Sequence, residues 1–317
     1  MSWKPSASFK TLHTRAKISA QVRDFFSKRN VLEVQTPLLS STSVTDPYIQ
    51  SIPAIFQRTG SQVQETLYLQ TSPEYAMKRL LAAGSGPIFQ ICKAFRQGEV
   101  GTFHQPEFTM LEWYRPDFNH HDLMNEMDDL LQLVLNKGKA ERLSYAAAFV
   151  NTVGINPHFA SLEELSFCAK KNGIIVNSTI TDRDAWLDLI LTHCIEPHFA
   201  NNHPVFLYDF PISQAALAKI RNEDPPVASR FEVYYKGIEL ANGFHELQDS
   251  NEQRRRFENN LHQRNKLDLS PIPIDEHFLA ALSHGLPDCS GVALGLDRLL
   301  MLILSAENIR EVVSFGF

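Results

Sequence analysis

Two apolar runs, PIFQICKAFR (87–96) and PEFTMLEWYR (106–115), are joined by a short loop that carries Gly98 and Gly101. They read as two strands of one hairpin, which commits this part of the chain to a sheet. Side chains alternate across a strand, so Phe108, Met110, Glu112 and Tyr114 share one face. The stretch FRQGEVGTFHQPEFTMLEWY thus sets an arginine at one end and a carboxylate with a phenol at the other. Such a hairpin suits a pocket with an anion end and a cation end. A plain hairpin with its charges in solvent has the same composition, and the rest of the chain decides between them.

Upstream, Ile18, Val22, Phe25 and Phe26 recur at helical spacing between Thr14 and Arg29, the mark of an amphipathic helix. VLEVQTPLL follows as a strand that Pro37 stops. A helix is expected over 72–83, with Ser72 as N-cap, Pro73 in the first turn and Glu74 where the helix dipole favours a carboxylate. A capping role and a functional role are both open for Ser72 and Glu74 here. Residues 120–225 read as mostly helical and carry no chemical motif. RFEVYYKGIELANGFHEL is a second hairpin around a Lys236-Gly237 turn. If Glu239, Asn242, Phe244 and Glu246 share a face, parity slips once between 239 and 242, and a bulge near Asn242-Gly243 would do that. Residues 247–266 form a charged helix whose Arg254, Arg255 and Arg256 read as a solvated face. SGVALGLDRLL closes the pattern as a strand of small residues and a helix starting near Gly295.

Composition narrows the function classes. A hydrophobic fraction of 44% and a charged fraction of 21% over 317 residues describe a globular chain with a large core. Lys+Arg 30 against Asp+Glu 36 leaves a net charge of -6, which disfavours extensive nucleic-acid binding. Cys92, Cys168, Cys194 and Cys289 are scattered without a CxxC, which fits a reducing compartment, and a cytoplasmic protein is expected. His193, Cys194, Glu196 and His198 have no helical ligand spacing and read as structural. The N-terminus has no apolar leader core.

Three elements carry chemistry. Arg96 offers a planar fork for phosphate oxygens. Glu232 and Glu239 on adjacent strands can hold Mg²⁺ together with substrate phosphates. Gly291 and Gly295 allow a nucleotide close to the backbone, with Arg298 in the helix beyond. Together they describe an ATP site that is neither a P-loop nor a dinucleotide fingerprint.

In order and combination these segments resemble the three motifs of class II aminoacyl-tRNA synthetases: VLEVQTPLL the first, FRQGEVGTFHQPEFTMLEWY the second, GVALGLDR the third. TSPEYAMKRLL, PEFTMLEWY and GIELANGFHEL are similar to the lysyl-tRNA synthetases within that class. The LEWYRP run and CSGVALGLDR resemble the stand-alone elongation factor P–(R)-β-lysine ligase family in particular. The resemblance spans nearly the whole chain. It implies an α+β catalytic domain over 1–317, an antiparallel sheet flanked by helices, with 120–225 as an elaboration and no N-terminal anticodon-binding OB domain.

It also implies residue roles. Arg96 and Arg298 are the catalytic arginines, on the α- and γ-phosphates of ATP. Phe108 stacks on adenine, while Gln97, Gly98, Glu99, Gln105, Leu240 and Gly295 border the nucleotide. Glu232 and Glu239 hold Mg²⁺. Glu112, Tyr114 and Glu246 bind the side-chain ammonium of a lysine-like substrate, with Asn242 and Phe244 beside it and Ser72, Pro73 and Glu74 at its other amino group. Ala293 stands where lysyl-tRNA synthetases usually have Gly; one methyl discriminates by about 1–3 kcal/mol, enough to favour (R)-β-lysine. Gly98 replaces the usual motif 2 Glu, with Glu99 next to it, and Gln105 replaces an Asn. The implied partners are (R)-β-lysine, elongation factor P as protein substrate and a second copy in a homodimer. The acidic balance argues against tRNA. An α-lysine enzyme charging tRNA and a degenerate regulator are the other readings.

Overall fold

The computed structural model describes residues 3–176 and 180–317; Met1 and Ser2 of the N-terminal stretch lie outside the described residues. Helix α1 (Phe9–Ser27) starts before its apolar period does. The Ser8 hydroxyl accepts the Thr11 N–H at 3.1 Å and caps an added turn. Ile18, Val22, Phe25 and Phe26 form its buried face. VLEVQTPLL gives two short strands in place of one, β1 (Leu32–Glu33) and β2 (Leu39–Ser40). Val34 still donates to the Phe89 carbonyl at 2.9 Å, but Pro37 has no N–H with which to extend a ladder. Strands β3 (Pro53–Gln57) and β4 (Gln64–Leu69) join β2 in a small antiparallel sheet of order β2-β4-β3.

Helix α2 (Glu74–Ala82) has Pro73 at its N-cap and no side-chain cap bond at that residue, so Ser72 is not the N-cap expected of it. Its hydroxyl still accepts the Glu74 N–H at 3.0 Å, and it donates elsewhere. Strands β5 (Ile88–Phe95) and β6 (Glu107–Pro116) are the expected hairpin, paired antiparallel without a break from Ile88–Tyr114 to Phe95–Glu107.

Helix α3 (His120–Leu135), strand β7 (Glu141–Ser144), α4 (Tyr145–Val153), α5 (Leu162–Lys171) and α6 (Arg183–Ile190) follow. A π-helical turn (Leu191–Ile195) and a 3₁₀ turn (Glu196–Phe199) lead to β8 (Val205–Pro211) and β9 (Ile220–Arg221). The helical expectation for 120–225 therefore omits three strands. Strands β10 (Val227–Tyr235) and β11 (Ile238–His245) turn through Lys236 and Gly237, both at positive φ. Helices α7 (Ser250–Lys266) and α8 (Glu276–Gly285), strand β12 (Cys289–Gly295) and helix α9 (Leu296–Leu304) complete the chain.

The parity slip in the second hairpin falls between Glu239 and Asn242, as expected, with the bulge two residues before Asn242. Val233 pairs with Ala241 and Tyr234 with Glu239, so Leu240 is the extra residue. Gly243 has another reason to be glycine: a Cβ there would lie 2.4 Å from the Phe231 ring.

The fold is α+β, with mainly antiparallel strands and flanking helices, and the chain divides into two compact units. The first holds Met1–Asp117, Gln248–Cys289 and Ala293–Phe317; the second holds Phe118–Leu247 and Ser290–Val292. In the first unit the strands run β1-β5-β6-β12, with β1 parallel to β5. Phe26 of α1 stacks on Phe89 at 4.6 Å and meets Trp113 edge-on at 5.2 Å, fixing the helix across this sheet. In the second unit the order is β11-β10-β8-β7, β9 also pairing with β10, over a core that includes Tyr145, Phe149, Trp186 and Phe210. Among the described residues no helix is long and apolar enough to cross a membrane.

Candidate active site

In the first unit, the two ends of the β5–β6 hairpin are chemically opposite. Arg96 follows β5, its N–H donating to Pro106 at 2.9 Å, and its guanidinium carbon lies 5.1 Å from the centroid of the Phe108 ring. Its Nη1 is 3.6 Å from Glu99. The buried Nε of Arg96 and Nε2 of Gln105 meet no acceptor among the described residues. Two unmatched buried donors, one of them beside an aromatic face, suit a ligand rich in acceptors, as a nucleotide is. The loop between them needs glycine at 98, where φ is +81°.

Helix α9 brings Arg298 to the same loop. Its Nε donates to the Phe103 carbonyl at 3.2 Å and its Nη2 to His104 Nε2 at 2.7 Å. Burial, and then the Arg298 charge, hold His104 below its ordinary pKa, which keeps the ring neutral and able to accept. Asp297, one residue earlier, accepts the Thr109 N–H at 2.6 Å and the Arg15 guanidinium at 2.5 Å. That buried carboxylate ties the first turn of α9 to β6 and to α1, and so aims Arg298. Gly295 caps this helix and Ala293 lies two residues before it, both half-buried.

At the other end of β6, Glu112 is 2% exposed and accepts from the Tyr114 phenol and the Ser72 hydroxyl, both at 2.7 Å. Burial, and then Glu74, push its carboxyl up to about 7, against the opposing pull of Tyr114, Ser72 and Lys78. Glu74 receives the Lys78 ammonium at 2.6 Å. Ser72, Glu74, Glu112 and Tyr114 are therefore one connected group. A buried carboxylate is a poor surface residue and, once ionised, a good partner for a cation.

In the second unit, the β10–β11 hairpin carries the remaining predicted residues. Glu232 lies opposite Asn242 and Tyr234 opposite Glu239. Glu232 accepts from Tyr234 at 2.6 Å and from Arg230, whose Nε also donates to Asn242 at 3.2 Å. Burial pushes the Glu232 carboxyl up; Arg230 pulls it down and Glu239 pushes it up again. Glu196 is raised as well, by burial and then by Glu232 and Glu239. Phe244 lies opposite Arg230 and is half-buried; Glu246 is 1% exposed and bridges to Ala218, and Leu240 is buried at the bulge. Among the described residues no group of three or more His, Cys, Asp or Glu could hold a metal ion. The hard oxygens of Glu232 and Glu239 fit an ion that takes most of its ligands from water and phosphate, as Mg²⁺ does.

Sequence reasoning missed several of these. Lys78 is four residues after Glu74 and Arg230 two before Glu232, spacings that put each pair on one face. Glu196, and the Arg15–Asp297 pair 282 residues apart in sequence, leave no local signal.

Residues 1–317 match the family model of the class II tRNA synthetases (D, K and N), and the chain belongs to that family. The motif resemblance is thereby borne out. Within it the likeness is narrower. An elongation factor P–(R)-β-lysine ligase of Photobacterium profundum is 52% identical over 314 residues, 99% of this chain and 97% of that protein. The same-named proteins of Edwardsiella ictaluri, 53% identical over 316 residues, and Haemophilus influenzae, 52% over 314, match with the same coverage.

Proposed function

We propose that this protein is an ATP-dependent ligase that activates (R)-β-lysine and attaches it to a lysine side chain of elongation factor P. The observation that carries the reading is the pair of opposite ends on one hairpin. Phe108 and Glu112 are four residues apart on one face, about 13 Å along the strand, which separates a nucleobase from a substrate ammonium. Relatives of nearly the same length that bear this activity in their names support it.

On this reading the amino-acid carboxylate attacks the α-phosphorus of ATP and pyrophosphate leaves. The lysine amine of the protein substrate then attacks the acyl carbon, and AMP leaves with the displaced proton going to solvent. No nucleophile from the chain is required; position and fixed charge lower the barrier. Arg96 and Arg298 take the phosphates, Phe108 the adenine, and Gln97, Gly98, Glu99, Gln105, Leu240 and Gly295 border the nucleotide. Glu232 and Glu239 would hold Mg²⁺, which would neutralise phosphate charge. Glu112, Tyr114 and Glu246 take the ammonium, flanked by Asn242 and Phe244; Ser72, Pro73 and Glu74 meet the second amino group, and Ala293 narrows the pocket. Exposed Leu32 and Leu39 in the first motif support a two-fold association there. The four cysteines are scattered free thiols, in keeping with a cytoplasmic site of action.

The test is ATP–pyrophosphate exchange with (R)-β-lysine and with α-lysine, then transfer to elongation factor P and to tRNA. Exchange with (R)-β-lysine and transfer to the protein are expected. Strong α-lysine exchange with tRNA charging would overturn the proposal, and no exchange with either amino acid would point to a regulator. Glu246→Gln should raise the amino-acid KM by about tenfold or more, as loss of a buried charge partner does, and leave the ATP KM nearly unchanged.

A further inference from the structure

We propose that Lys78 is a positioning residue of the ammonium end: its Nζ, 2.6 Å from Glu74 Oε1, anchors that carboxylate and supplies a buried positive charge to the space that Glu74 and Glu112 share. The inference rests on the substrate reading above.

Lys78 is 1% exposed, a burial that an ammonium tolerates only with partners. One turn of α2 brings it over Glu74, and it lies 5.7 Å from the centroid of the Phe278 ring on α8. Glu112 of β6 faces the same space, held by Ser72 and Tyr114. The other titratable groups here are Cys92 of β5, whose thiol is pushed up to about 12 by burial and then by Glu112, and Tyr75 of α2, raised by burial, Glu74, Asp275 and Asp46. Both are neutral over the working range and leave Lys78 as the counter-charge. Two carboxylates sharing a low-dielectric space push each other toward protonation, and Glu74 acts on Glu112 in this sense while Lys78 opposes it. A protonated Glu112 would donate a hydrogen bond where the substrate ammonium needs an acceptor. Lys78 thus lowers, together with Tyr114 and Ser72, the pH above which the pocket takes a cation, and it orients Glu74 for the second amino group without touching substrate.

Lys78→Met and Lys78→Arg, assayed by amino-acid-dependent pyrophosphate exchange from pH 6 to 9, test this. Lys78→Met should raise the amino-acid KM about tenfold at neutral pH, recover as the pH rises, and move the acidic limb of kcat/KM up by about one unit or more. The ATP KM should hold, and Lys78→Arg should restore the limb. Glu74→Gln should move the limb down, since it removes the carboxylate that raises Glu112; it serves if Lys78→Met does not fold. A folded Lys78→Met enzyme with the wild-type limb, or an unmoved limb in Glu74→Gln, overturns the proposal. Wild-type enzyme without exchange at any pH would sink the substrate reading alone. The Glu112 titration, followed by carbon NMR of Glu-labelled wild-type and Lys78→Met or Glu74→Gln protein, still decides the role of Lys78: a midpoint that does not move overturns it.

Discussion

Gly98 and Gly243 are glycines for different physical reasons, and substitution separates them. At Gly98 the backbone sits at φ +81° and a Cβ would meet nothing within 4 Å, so the constraint is conformational. Alanine there should cost about 1 kcal/mol through backbone strain. The same strain applies to the glutamate that the family motif carries at this position, so the loop conformation seen here belongs to the glycine. At Gly243 the backbone is ordinary, but a Cβ would fall 2.4 Å from the Phe231 ring and 3.0 Å from Val292. Alanine there should cost about 1–3 kcal/mol by overpacking. Urea midpoints should rank Gly243→Ala below Gly98→Ala, while the ATP KM should rise chiefly in Gly98→Ala. The reverse order would show that the Phe231 ring yields more easily than the turn.

Between elements, the decisive contact is Asp297 at the start of α9. Its carboxylate takes the Thr109 N–H of β6 and the Arg15 guanidinium of α1, and Arg15 Nη2 also donates to Thr109 Oγ1 at 2.6 Å. Asp297→Asn keeps the shape and removes the charge. It should lower stability by about 1–3 kcal/mol, since a buried guanidinium contact loses its anion, and raise the ATP KM because Arg298 is the next residue. Urea unfolding and exchange kinetics measure the two effects; loss of stability without a change in ATP KM would separate Asp297 from the aim of Arg298. The sequence showed this region as a strand of small residues leading to a helix, and showed α1, the two hairpins and α7 through periodicity and turn residues. It also showed Glu112 and Tyr114 on one face, because period-two alternation is local. The split of VLEVQTPLL, the bulge at Leu240 and the uncapped start of α2 depend on which backbone groups find partners across the fold, and no local pattern carries that. The arginine triplet is taken up in ion pairs: Arg255 and Arg256 with Glu252 of the same helix, and Arg254 with Glu276 of α8.

Over the whole molecule, the part of the candidate site that the sequence makes legible is its list of polar residues, because function restricts residue type at fixed spacing along each motif. The partners that tune those residues were less legible. Lys78 and Arg230 are near in sequence but look like ordinary surface charges until their burial is known, and Glu196 reaches the second hairpin only through the tertiary fold of its unit. The Lys236-Gly237 turn has a further consequence for how the molecule is made. Glu232 and Glu239 are held by a two-residue reversal, whereas the Arg298 contact with Phe103 spans 195 residues of chain. Closing the short loop costs far less chain entropy than closing the long one. During refolding, amides of the second hairpin should gain protection in pulsed hydrogen exchange before those of β12 and α9, and simultaneous protection would contradict this. On the proposed roles, the chain acquires the two carboxylates put forward for Mg²⁺ as a local event and the arginine put forward for the phosphates as a late one, so a newborn protein would be able to gather cations before it can grip a nucleotide.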